Sequence, residues 1–211
     1  MRKKISILGA GGFGREVKQL IEDINLVEES WELEGFYDPN FQKGTLVNGL
    51  PVLGGNKEAL QSDNIYFVMA ICKPLILEKL SKNFLDNGKT FPNIIHPSAS
   101  MGCPKSNQIG IGNILTFGFH MTTNIKLGDF NIFNTRASIG HDVNIGSYNV
   151  FMPNVQLSGE ISIGDKNFFG MNSSVLRGKR INSHNTIGAH SLVVSDIAKN
   201  QNVFGIPAVR I

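Results

Sequence analysis

The segment best equipped for chemistry is Asn134-Thr135-Arg136-Ala137-Ser138-Ile139-Gly140-His141-Asp142. A histidine titrates near neutral pH and can take a proton from an attacking amine or hydroxyl. A neighbouring carboxylate can fix the imidazole tautomer and stabilise the imidazolium that forms. Adjacent residues on a strand point to opposite faces. Asp142 therefore serves His141 only if the two sit at a corner of the chain, or else the carboxylate comes from another subunit. On the residues alone, His141 is either such a base or an ordinary surface histidine. His96, His120, His184 and His190 have less informative neighbours.

A second candidate is Gly9-Ala10-Gly11-Gly12-Phe13-Gly14, which fits G-x-G-x-x-G between an apolar strand and a helix. Phosphate oxygens would sit on the free N–H groups of the helix start, beside Gly9, Gly11 and Gly12. Asp38 follows the second strand, where a ribose-binding acid belongs. The alternative is a tight turn with no ligand. A nicotinamide dehydrogenase is disfavoured, because this half is too short for two mononucleotide units and no catalytic domain other than the repeat-bearing second half accompanies it.

The elements that position these groups fall into two patterns, residues 1–94 and 95–211. In the first, strands at Lys4–Leu8, Leu33–Tyr37 and Asn64–Ile71 alternate with helices at Arg15–Asn25 and Leu75–Asn87. That alternation predicts a parallel sheet covered on its faces. In the second, helix signals vanish until about Ser195, and every sixth residue from Ile109 to Val193 is apolar without a slip. Such a hexapeptide period predicts a β-helix in which three hexapeptides close one triangular coil and residues eighteen apart stack. Ile95-His96-Pro97-Ser98-Ala99 reads as the opening coil, followed by a two-residue break in register. The residue after each inward one is often Gly (Gly110, Gly128, Gly140, Gly146, Gly164, Gly170, Gly188), which is expected to permit the corner. His141 then lies between Thr123 and Gly159. Both are small and are expected to leave room for a substrate over the ring, and Gly159 to let a backbone N–H approach a developing oxyanion.

The 211 residues carry a net charge of +3, too little to argue for nucleic acid. Cys72 and Cys103 are far apart, with no C-x-x-C and no histidine at ligand spacing, so neither a disulfide framework nor a metal site is expected. Ile5–Leu8 is too short for a signal-peptide core, and no stretch approaches membrane-spanning length. These features predict a soluble, cytoplasmic protein.

Three motifs carry a resemblance that covers nearly the whole chain. They are Asn134-Thr135 with Ile139-Gly140-His141-Asp142, the run Phe168-Phe169-Gly170-Met171-Asn172-Ser173-Ser174-Val175-Leu176, and Val203-Phe204-Gly205-Ile206-Pro207-Ala208. Together they resemble the bacterial hexapeptide-repeat sugar acyltransferases that acetylate nucleotide-linked amino sugars, and the related sialic acid O-acetyltransferases. The resemblance implies an N-terminal Rossmann-like α/β domain that holds a nucleotide-sugar, a C-terminal left-handed parallel β-helix, and a homotrimer. It implies acetyl-CoA as co-substrate and no metal. His141 would be the general base, Asp142 its partner, and Asn134 a contact to the acceptor sugar. The backbones of Gly159, Met171 and Ala189 would hold the pantetheine arm between subunits. Arg177, Lys179, Arg180 and Arg210 would either meet CoA phosphates or stand solvated.

The departures are Phe13 where the family often has His, Val150 where some members carry a second histidine near the acetyl group, and Ala70-Ile71-Cys72-Lys73-Pro74 in place of Ala-Ile-Gly-Asn. Lys73 is a candidate phosphate contact there. The leading expectation is acetyl transfer to the amine of a nucleotide-linked amino-deoxy sugar for surface glycan synthesis. The alternatives are O-acetylation of a sialic acid or related hydroxyl, and a non-catalytic β-helix binding subunit.

Overall fold

The computed structural model describes residues 2–211. Its first layer runs β1 (Lys3–Leu8), α1 (Gly12–Val27), β2 (Trp31–Tyr37), β3 (Leu46–Val47), β4 (Leu50–Gly54), α2 (Asn56–Gln61), β5 (Tyr66–Met69) and α3 (Pro74–Asp86). The strands lie in the order β3-β4-β2-β1-β5, all parallel except the β3–β4 hairpin. The sequence reading missed β3, β4 and α2. β3 has two residues, β4 contains Pro51 and ends at Gly54, and α2 is six residues long, so none shows a full period. α1 starts at Gly12, three residues before the expected Arg15. Strand order reverses at β1, with β2 on one side and β5 on the other, and ligands of open α/β sheets bind at such a point.

From Ile94 onward the chain forms three stacked, mainly parallel ladders of short strands. The eight-stranded ladder carries Ile114, Ile132 and Val150 outward into the core of the first layer, and is called here the docked face. The second, the serine face, shows His120, Ser138, Gln156, Ser174 and Leu192. The third, the basic face, shows Gln108, Lys126, Asn144, Ser162 and Arg180. The chain visits docked, serine and basic faces in turn. No helix follows α3, so the expected return of helix near Ser195 does not occur.

The inward positions from Leu115 to Val193 are all buried, with Phe133, Phe151 and Phe169 stacked at centroid distances of 4.3 and 4.7 Å. The expected break in register is present. Ile95 pairs with Leu115, twenty residues on, whereas later partners are eighteen apart. The last coil is shorter, pairing Ile187 with Val203, and an antiparallel strand at Val209–Arg210 closes the docked face.

Two features correct or extend the glycine reading. The corner residue with positive φ is the third after each inward one, and it is mostly not glycine: Asn124, Phe130, Arg136, Asp142, Tyr148, Asn154 and Glu160 all lie between 52° and 63°. The glycines after the inward residues are needed for close stacking instead. A Cβ on Gly128 would lie 2.7 Å from the Gly146 carbonyl oxygen, and one on Gly146 would lie 2.9 Å from that of Gly164. At the corner from basic to docked face a column of buried asparagines supplies the missing hydrogen bonds. The backbone N–H groups of Asn131, Asn149, Asn167 and Asn185 each donate to the side-chain oxygen of the asparagine one coil earlier, at 2.8–2.9 Å.

The two layers are tied across their seam by Lys166 Nζ, which donates to both oxygens of Glu78 at 3.1 and 3.2 Å. Nearby, Phe91 packs edge-on against Phe130 at 5.1 Å.

Candidate active site

His141 and Asp142 stand at the corner between serine and basic faces. Asp142 has φ of +57°, which turns its side chain to the same side as that of His141. His141 Nδ1 then donates to Asp142 Oδ2 at 2.7 Å, so the carboxylate is supplied by corner geometry within one chain. This assigns the hydrogen to Nδ1 and leaves the Nε2 lone pair free. Asn124, one coil earlier and also at positive φ, donates from Nδ2 to Asp142 Oδ1 at 2.9 Å. The His141 bond first, and the Asn124 bond second, hold the Asp142 carboxyl below the usual aspartate range. The space beside Gly159 is not left for a substrate: a Cβ there would lie 2.6 Å from His141 Nε2, so the ring itself lies against that glycine.

Beyond it, Arg177 Nη2 donates to Glu160 Oε1, and this bond raises the Arg177 pKa further and lowers that of Glu160. The corner therefore holds Asn124, Asp142, His141, Glu160 and Arg177. Arg177, a candidate for a CoA phosphate, stands beside the histidine and is paired with Glu160. Sequence reasoning compared His141 with its neighbours eighteen residues away and missed Asn124 and Glu160; the same comparison made for Asp142 finds both.

The remaining candidates lie elsewhere. Asn134 is at the corner between docked and serine faces, buried, with its Oδ1 accepting from Thr135 N at 2.7 Å. Met171 and Ala189 share that corner, where His190 N donates to the Met171 carbonyl at 2.8 Å. Met171 is exposed. Within one chain the serine face separates them from Gly159 and His141. Val150 is buried on the docked face, so a histidine at that position would not share the corner of His141. Arg180 lies on the basic face, next to Lys179, and Arg210 in the closing strand.

The glycine loop sits at the sheet's switch point. Gly9 has φ of +105°, and a Cβ there would lie 2.8 Å from the Ala70 carbonyl oxygen. At Gly14 a Cβ would lie 2.9 Å from the Gly9 carbonyl carbon, whereas one on Gly11 would face open space and one on Gly12 would meet only Arg15 Nη2, at 3.9 Å. Asp38 is buried and already clamps the loop: Oδ2 accepts from Ala10 N, and Oδ1 from the backbone and side chain of Asn40, each at 2.9 Å. Lys73, exposed, precedes α3 at the same sheet edge. Among the described residues no group of His, Cys, Asp and Glu is arranged to hold a metal, and no helix is long and apolar enough to cross a membrane.

No curated protein sequence matches the chain. The family model described as "PglD N-terminal domain" matches residues 4–84. Among solved structures, the acetyltransferase domain of PglB from Neisseria gonorrhoeae FA1090, in complex with acetyl coenzyme A, is 27% identical at a TM-score of 0.90, with 100% of each chain covered. PerB from Caulobacter crescentus, in complex with CoA and GDP-perosamine, is 26% identical at 0.89, covering 99% of this chain and 97% of that one. WeeI from Acinetobacter baumannii AYE is 26% identical at 0.89, covering 99% and 100%. Residues 4–84 are thus of the PglD N-terminal domain type, and over its whole length the chain is built like the hexapeptide-repeat sugar N-acetyltransferases.

Proposed function

We propose that the chain transfers acetyl from acetyl-CoA to the amine of a nucleotide-linked amino-deoxy sugar, with His141 as general base and Asp142 as its partner. The observation that carries this reading is the 2.7 Å His141–Asp142 bond, which leaves Nε2 unprotonated on an exposed corner. The neutral amine attacks the thioester carbonyl, a C–N bond forms and the C–S bond breaks. Nε2 takes the proton from nitrogen and returns it to the departing thiolate, giving an amide and free CoA. The Caulobacter relative bound to CoA and GDP-perosamine supports this substrate class.

The site is completed by a neighbouring copy. The docked face is covered, and the basic face presents Lys126 and Arg180, which identical copies would set against themselves. The serine face carries neither lysine nor arginine. Three copies with this face toward a common axis bring the His141 corner of each to the Asn134, Met171 and Ala189 corner of the next. The pantetheine arm would then run between Gly159 of one copy and Met171 and Ala189 of another. The nucleotide would sit on the glycine loop, with Lys73 near its phosphates. Asp38, which holds that loop, would meet the ribose through its remaining lone pairs. Arg177 and Arg210 would serve CoA only if they turned toward it.

The test is CoA release from acetyl-CoA with a panel of nucleotide-linked amino sugars and free sialic acids, for wild type and His141→Ala. Release with an amino sugar, lost in the variant, is expected. An undiminished rate in His141→Ala would defeat the proposed base, and release only with sialic acids would make the chain an O-acetyltransferase. Light scattering checks assembly, and a fully active monomer would overturn the shared site.

A further inference from the structure

Successive coils place two carboxylates one above the other at the His141 corner. Asn124, Asp142 and Glu160 stand eighteen residues apart with φ of 58°, 57° and 60°, so their side chains leave the corner in the same direction and stack. Neighbouring coils lie about 4.8 Å apart. Asn124 serves one side of Asp142, donating to Oδ1. The other side faces Glu160, whose backbone N–H donates to the His141 carbonyl at 2.8 Å and so fixes it beside the base. A second carboxylate there adds to Asp142 in favouring the imidazolium, and an imidazolium cannot accept the proton of an attacking amine.

Arg177 stands against that charge. Thr123, His141, Gly159 and Arg177 form the adjoining column, again one residue per coil. The His141 ring lies over Gly159, with Nε2 2.6 Å from where a Cβ would be, which places Nε2 on the Arg177 side of its own coil. Gly178 N donates to the Gly159 carbonyl at 3.0 Å, fixing the turn that bears Arg177. Arg177 Nη2 then donates to Glu160 Oε1. After its hydrogen bonds to His141 and Asn124, Asp142 is lowered further by the charge of Arg177. Thr123, in the coil before the base, and Ser106, which meets Thr123 Oγ1 at 2.8 Å, carry no charge. Lys105 beside Ser106, Lys179 beside Gly178, and Cys103, whose thiol meets the Ser106 hydroxyl, border the corner. In the proposed trimer the facing corner of the next copy carries Arg136 and His190.

We infer that Arg177, anchored on Glu160, is a positioning residue for the base: it cancels the second carboxylate of the corner, so that Asp142 alone governs the imidazole and Nε2 is free to take the proton at neutral pH. Glu160 in turn keeps the guanidinium from closing on Asp142. The inference rests on the acetyl-transfer reading and gives Arg177 a task in proton transfer rather than at a CoA phosphate.

The test compares wild type with Arg177→Gln, Glu160→Gln and the double variant, each as the full chain at low salt. Two readouts are taken: the titration midpoint of the His141 imidazole, followed by NMR with ring-labelled histidine and assigned with His141→Ala, and the acid limb of kcat/KM for the amino sugar of the panel turned over fastest. In Arg177→Gln both are expected to move up by about 0.3 to 0.6 pH unit, the effect in water of one charge one or two coil spacings away. The activity so lost at neutral pH should return as the pH is raised. In Glu160→Gln both should move down by a similar amount, and in the double variant they should return close to wild type. Midpoints that stay put in both single variants, or that move in the same direction, overturn the inference. So does an unmoved acid limb with a raised acetyl-CoA KM in Arg177→Gln, because Arg177 then serves CoA. The imidazole titration needs no turnover. A wild type that releases no CoA with any acceptor defeats the acetyl-transfer reading, while the midpoints still decide whether the pair acts on His141.

Discussion

Asp142 Oδ2 lies 2.7 Å from Nδ1 of His141, its immediate neighbour in the chain, because Asp142 has the positive φ of a coil corner. Two residues that a regular strand would point apart thus form one acid–base unit. Asp142→Asn should keep the coil intact and lower kcat roughly ten- to a hundredfold, the worth of a hydrogen bond to a charged group. Steady-state kinetics beside circular dichroism check this; an unchanged kcat would remove Asp142 from the mechanism.

Asn124 acts through Asp142, to which it donates at 2.9 Å. Asn124→Ala should reduce kcat by less than Asp142→Asn, and the double variant should be no worse than Asp142→Asn alone, since both changes break one chain of contacts. Additive losses in the double-mutant cycle would show that Asn124 acts by another route.

Gly159 lies under the His141 ring. An alanine Cβ 2.6 Å from Nε2 forces the ring to swing, which the exposed side chain can do at small cost in stability. Gly159→Ala should therefore lower kcat/KM about a hundredfold, the scale of an ångström-sized misplacement, with little change in melting temperature. A variant that loses stability instead would mean that the backbone, not the imidazole, gives way.

Glu78 joins the two layers through Lys166 and is also held by Lys82. Its pKa is lowered below the usual glutamate value of 4.5, chiefly by the Lys82 bond and then by that of Lys166, against a desolvation effect that raises it. A depressed folded-state pKa stabilises above the unfolded value and loses that stabilisation as pH falls through the folded value. Glu78→Gln should cost up to about 1 kcal/mol at neutral pH, and the difference from wild type should vanish below pH 4.5 as the carboxyl protonates. Urea unfolding at two pH values measures it.

The two thiols should differ sharply. Burial pushes Cys72 up to about 12, whereas the Ser106 hydroxyl first, with nearby backbone N–H groups, lowers exposed Cys103. A disulfide reagent at pH 8 should modify Cys103 rapidly and Cys72 only on unfolding. Equal rates would contradict the burial of Cys72 against the core of the first layer.

The β-helix was legible from residue types because its rule is local and repeated. One apolar residue in six must point inward, and this period persists from Ile109 to Val193, with the break before it. The first sheet was legible in outline for the same reason, through Ile5–Leu8 and the apolar face of α1. β3, β4 and α2 were not, because they are shorter than the periods by which strands and helices are recognised.

What the linear order could not decide was which side chains meet. His141 and Asp142 were visible as neighbours, but only the left-handed corner at Asp142 makes them partners. Glycine was read as the corner residue, yet the corner falls two residues later and the glycine serves the approach of the next coil. Asn124 and Glu160 enter the site by stacking one coil either side of Asp142, and His96 meets Asp23 across 73 residues. Such encounters follow from where layers and coils are laid against each other, a property of the packed whole that no local period encodes.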